Sequence, residues 1–111
     1  MKRLYYSSGT VLLGDRTAEA VLDYASALAK RETSDAVEVP IVTERGHRGV
    51  ARLLLGPASQ LMAVSDPEAS SEVDDEDVLA MLRLRIEGLL RPKGQPIDED
   101  DFDGGTSDAP E

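Results

Sequence analysis

The 111-residue chain has no cysteine. That excludes a disulfide framework, a thiolate zinc site and a thiol nucleophile. Tryptophan is absent too, and aromatic side chains amount to Phe102 and three tyrosines, so any core is aliphatic and rests on packing alone. Histidine occurs once, at His47. A serine hydrolase needs a base beside its nucleophile, and no serine here stands in a G-x-S-x-G context. No apolar run approaches a membrane span. Lys2 and Arg3 lead into Leu4-Tyr5-Tyr6-Ser7-Ser8-Gly9, too polar for the apolar region of a signal peptide. The expected location is the cytoplasm.

Positive charge is also scarce, with 12 Lys and Arg against 22 Asp and Glu and a net charge of −10. From residue 92 onward seven acids face Lys93 alone, a net −6, while residues 1–91 hold fifteen acids against eleven bases, a net −4. A phosphate backbone requires a basic face, so nucleic-acid binding is disfavoured and an electropositive protein partner is favoured. Residues 92–111 are rich in Asp, Gly and Pro, and read as a disordered acidic tail on a single domain over residues 1–91.

What the chain does have is one strongly apolar stretch, Arg48 to Ser65. Val50–Leu55 reads as a buried strand, Gly56-Pro57-Ala58-Ser59 as a tight turn and Gln60–Ser65 as a returning strand, a hairpin at the centre of the sheet. A short helix from Pro57 is the alternative for its second half, because Ala58, Leu61 and Met62 are good helix formers. Upstream, Lys2–Tyr6 and Thr10–Leu13 read as a strand pair around Ser7-Ser8-Gly9. Asp15 reads as the N-cap of a helix to Arg31, whose apolar stripe is Ala18, Val21, Leu22, Ala25, Leu28 and Ala29. Val37, Val39 and Ile41 alternate with Glu38 and Pro40, a half-buried strand. Pro40 places that strand at an edge or turns its missing N–H outward. Glu44–His47 is a hairpin loop, with Gly46 suited to a left-handed conformation. A second helix spans Asp74–Arg91, with acids in its first turn, arginines in its second half and Pro92 as its stop. Its stripe is Val78, Leu79, Leu82, Ile86, Leu89 and Leu90, which leaves Met81 and Leu84 as surplus apolar positions.

The expected fold is therefore α+β: an antiparallel sheet of about five strands in the order β-β-α-β-β-β-α, with two helices packed on it. The second helix either joins the first or swaps across a dimer.

Few residues carry candidate chemistry. Arg45, His47 and Arg48 sit in one loop and suit a small anion, since guanidinium forks match carboxylate and phosphate. The same charges are also what a solvated hairpin tip needs. Glu99, Asp101, Asp103 and Gly104 resemble the start of a calcium loop, but Pro110 stands where a bidentate Glu is required. Ser8-Gly9-Thr10 lacks the spacing of a phosphate-binding loop. No catalytic residue, metal site or cofactor is assigned. Met81 and Leu84 are candidates for a protein interface or homodimer. Ile97 and Phe102, apolar anchors in an acidic run, suit docking on a basic groove. The expected function is a non-enzymatic interaction or regulatory module. The competing reading is a small-anion-binding protein or small enzyme built on the Arg45–Arg48 loop.

Overall fold

A computed structural model describes residues 1–6, 9–67 and 73–91. Its elements are β1 (Lys2–Tyr6), β2 (Gly9–Leu13), α1 (Asp15–Lys30), β3 (Asp35–Val42), β4 (Arg48–Leu55), β5 (Leu61–Ser65) and α2 (Glu76–Leu90). The five strands form one antiparallel sheet in the order β4-β3-β2-β1-β5. The class and element order are those the sequence predicts. Among the described residues, no helix is long and apolar enough to cross a membrane.

The central hairpin is not a hairpin. β4 and β5 are strands, as expected, but they lie at opposite edges of the sheet. The turn between them does form: Ser59 N–H donates to Gly56 O at 3.0 Å, and Gly56 N–H donates to Ser59 Oγ at 3.0 Å. Turn chemistry fixes a local reversal, not the strand that the chain meets next. The outer edge of β4 is already closed at its end, where Leu54 O accepts from Tyr6 Oη at 2.6 Å and from Ser59 Oγ at 3.1 Å. The chain passes that corner and pairs with the open side of β1 (Tyr6 opposite Leu61, Leu4 opposite Ala63).

β3 is an interior strand, and Pro40 sits in it without cost. Thr43 N–H donates to His47 O at 2.8 Å, which sets the alternation of bonded pairs along the β3–β4 ladder. Pro40, opposite Val50, falls at a non-bonded position. Its nitrogen therefore faces β2, whose pairing with β3 is a single residue pair, Leu12 with Val42. The β3–β4 loop turns at Gly46, at φ 82°, with Gly46 N–H donating to Thr43 O at 2.9 Å. This is a three-residue hairpin loop ending in a left-handed residue, as anticipated.

The two helices pack side by side over the face that carries Leu4, Leu13, Val37, Val39, Leu53 and Leu55, all buried. They run parallel. Arg16 pairs with Glu76 at 2.7 Å, Arg83 with Asp23 at 3.0 Å, and the Arg31 guanidinium donates to Arg91 O; each pair is sixty residues apart. Because α1 is covered by both sheet and α2, its buried face is wider than the predicted stripe. It includes Thr17, Ala20, Tyr24 and Ala27, while Leu22 and Ala25 are only half-buried. Alanines on the shared face let the two helices approach closely. On α2 the buried stripe narrows to Leu79, Leu82 and Ile86, and Leu90 is exposed.

Asp15 is not the cap of α1. Gly14 takes that position with no side chain to offer, and Asp15 instead meets the N-terminal ammonium of Met1 at 3.1 Å. The cap comes from Asp74, which accepts from Thr17 N–H at 3.0 Å and from Thr17 Oγ1 at 2.6 Å. A Cβ on Gly14 would lie 2.2 Å from Asp74 Oδ1, so only glycine admits this cap. The acids before α2 divide accordingly: Asp74 caps α1, and Asp75 caps α2 by accepting from Asp77 N–H at 2.8 Å and Val78 N–H at 3.3 Å.

Candidate functional site

Strand alternation gives the sheet a second face, away from the helices, made of Arg3 and Tyr5 on β1, Thr10 and Leu12 on β2, Glu38, Pro40 and Val42 on β3, Val50, Arg52 and Leu54 on β4, and Met62 and Val64 on β5. Two parts of it differ in charge. On β3–β4, Glu38 lies opposite Arg52, and Arg48 opposite Val42, so charges interrupt the exposed Val50 and Leu54. On β1–β5, Tyr5 lies opposite Met62 and Arg3 opposite Val64. Arg3 is neutralised by Asp66 at 2.9 Å. What remains is an uncharged apolar cluster of Tyr5, Met62 and Val64, which are 38%, 55% and 43% exposed.

This cluster stands on the sheet's barest edge. β5 pairs with β1 alone among the described strands. Asp66 N–H donates to Met1 O at 3.1 Å, so the bonded pairs with β1 fall at Asp66, Val64 and Met62. The N–H and C=O groups of Leu61, Ala63 and Ser65 therefore point outward, away from β1. By the same alternation the outward residues of β4 are Arg48, Val50, Arg52 and Leu54. There two arginines stand on the edge, and Tyr6 and Ser59 occupy the carbonyl of Leu54. Charge and cover of that kind are how exposed strands are protected from pairing. The segment from Leu61 to Ser65 carries no charge and no proline.

The Arg45–Arg48 loop is the exposed tip of the β3–β4 hairpin: Arg45, His47 and Arg48 are brought to one end of the sheet, all exposed. Arg52 follows on the same face of β4 as Arg48. Met81 is half-buried and packs against the core. Leu84 is 68% exposed on the outer surface of α2. Ile97 and Phe102 lie outside the described residues. A shallow open hollow of about 520 Å³ lies where β4 leaves the sheet, lined by Tyr6, Leu54, Gly56, Pro57, Ser59 and Gln60.

Two titratable groups with shifted pKa values, Asp35 and Tyr24, meet beside the helix pair. Asp35 accepts from Tyr24 Oη at 2.6 Å and from Arg85 Nη1 at 2.6 Å. The Tyr24 hydrogen bond, with the Arg85 charge, holds the Asp35 carboxyl below the usual aspartate value. Burial and the Asp35 carboxylate push the Tyr24 hydroxyl up. Every member of this triad is satisfied within the fold, an arrangement that suits anchoring rather than proton transfer.

Sequence reasoning passed over Tyr5, Met62 and Val64. The signal was present in Leu61-Met62-Ala63-Val64, which is apolar at both parities. A strand with one face in water alternates apolar and polar residues. No protein-family model matches the chain, and no curated protein and no solved structure matches it.

Proposed function

We propose that this protein is a non-enzymatic interaction module of the cytoplasm, and that it engages a protein partner through β5 and the apolar cluster beside it. The observation that supports this reading is the uncharged patch of Tyr5, Met62 and Val64 on a strand edge with its backbone groups turned outward. Exposed apolar surface adjoining unpaired strand backbone is the chemistry of strand addition. The acidic balance of residues 92–111 favours a separate, electropositive partner for that segment, with Ile97 and Phe102 as its anchors, and Leu84 offers a second apolar contact on α2. The anion-binding reading rests on Arg45, His47 and Arg48 alone, three exposed side chains at a hairpin tip.

The test is affinity capture from native cytosol with the full chain, its Met62→Asp variant and its Arg45→Ala/Arg48→Ala variant. A partner held by the full chain and by the arginine variant, but lost with Met62→Asp, is the expected result. A partner indifferent to Met62→Asp would move the contact off β5, and a partner lost only with the arginine variant, or inorganic phosphate shifting the NMR signals of Arg45, His47 and Arg48, would move the function to the loop.

A further inference from the structure

We infer that the partner of β5 is a second copy of this chain, the two β5 strands pairing antiparallel about a two-fold axis at Ala63. This rests on the reading of β5 as the contact element and goes on to name its occupant.

The outward-pointing residues are Leu61, Ala63 and Ser65, spaced two apart and centred on Ala63. A two-fold axis through Ala63 sets Ala63 opposite its own copy, Leu61 opposite the copy's Ser65, and Ser65 opposite the copy's Leu61. All three are then bonded pairs, and each exchanges two N–H···O=C bonds. Every outward backbone donor and acceptor of β5 finds its partner in that one register. Isologous contacts require self-complementarity of this kind.

The side chains agree with the backbone. In the same register Met62 faces the copy's Val64, and Val64 the copy's Met62, at the non-bonded positions where cross-strand side chains are closest. With Tyr5 beside Met62 in each copy, the two apolar clusters merge into one strip across the axis. On the helix side, half-buried Ala63 meets its own copy, and a small residue there allows close approach. Beyond the ends, Asp66 stands opposite Gln60, so no like charges are brought face to face. That matters in a chain of net charge −10, where most other surfaces would repel their copies. β4 offers no equivalent. A two-fold there brings Arg48 and Arg52 together with their copies, and Leu54 O is already taken.

A five-residue strand pairing is a small interface, so assembly is expected at concentrations on the order of 100 µM. The first experiment is amide hydrogen exchange of the full chain, dilute and concentrated. Ala63 and its neighbours Leu61 and Ser65 should become roughly tenfold slower to exchange in the concentrated sample. Met62 and Val64, already bonded to β1, should not change. Sedimentation equilibrium supplies the second readout with two variants that alter only exposed side chains. Met62→Lys/Val64→Lys puts like charges opposite each other across the axis and should be monomeric. Met62→Lys/Val64→Glu puts opposite charges there and should dimerise, more weakly in high salt.

A monomer at about 1 mM, several times the concentration at which assembly is expected, overturns the inference. So does a dimer that tolerates both variants equally, because its interface then lies elsewhere. If the chain is monomeric but a cytosolic partner is still lost with Met62→Asp, the occupant is another protein's strand: the interaction reading stands and the second copy falls. If self-association and Met62-dependent capture both fail, the interaction reading falls with it.

Discussion

The two ends of the parallel helix pair are each fastened by an aspartate, and the two fastenings work differently. At the N-terminal end Asp74 reaches the first turn of α1, accepts from Thr17 N–H and Thr17 Oγ1, and occupies space that the missing side chain of Gly14 leaves open. Thr17 is fully buried. At the C-terminal end Asp35 receives Tyr24 and Arg85, but the Asp35 and Arg85 side chains are 36% and 43% exposed. The first is a matter of fit and of donors that would otherwise be orphaned. The second is a charge contact that water and salt weaken. The lesson is that one residue type, with hydrogen bonds of similar length, fastens strongly or weakly according to what surrounds it.

The comparison breaks most sharply at Gly14. Gly14→Ala drives a methyl into Asp74, displacing the cap as well as overpacking the site, and should cost about 3 kcal/mol in urea unfolding. Asp74→Ala should cost about 2 kcal/mol, since it orphans Thr17 N–H and the buried Thr17 hydroxyl. If the Gly14 penalty is a collision with Asp74, the two changes are strongly non-additive: Gly14→Ala placed on Asp74→Ala should cost under about 1 kcal/mol. Additive losses would mean that Gly14 is required for some other reason. At the opposite end Tyr24→Phe should cost only about 1 kcal/mol.

The smallest expected effect is in pH dependence. The folded-state pKa of Asp35 is lowered. Its contribution is therefore present above the unfolded aspartate value of about 3.9 and is lost as pH falls through the folded value. Asp35→Asn should give a stability profile slightly flatter than the parent's on the acid side, and unchanged in slope above about pH 6. A steeper acid loss in the variant would show that the carboxylate opposes folding.

Local signals carried much of this fold. The alternation at Val37, Val39 and Ile41 placed β3, the three- and four-residue spacing placed both helices, and Gly46 placed its turn. The failures are all non-local. Gly56-Pro57-Ala58-Ser59 turns as its residues dictate, yet nothing in those residues says that β5 crosses to the far edge. Asp15 has the chemistry of a cap and lies at the right place in sequence, but the geometry of the chain end gives it to the Met1 ammonium. Asp74 reads as one more acid in the first turn of the second helix, yet it lies before α2, which begins at Glu76, and its partner is 57 residues away. The interface candidates show the same pattern. Met81, surplus on a helical wheel, finds a place against the core, and β5 turned its outer side to solvent only because β1 took its inner one.

The sixty-residue offset between facing positions of α1 and α2 also bears on the order of assembly. Two antiparallel helices joined by a short loop can meet early, because little chain must be closed to bring them together. Parallel neighbours have no such shortcut: β3, β4 and β5 lie between α1 and α2 along the chain. Their docking closes a long loop, as the β1–β5 pairing does across a similar separation, and both belong later on the folding path than the local β1–β2 and β3–β4 pairings. Stabilising substitutions along that helical seam should then lengthen the lifetime of the native state without hastening its formation.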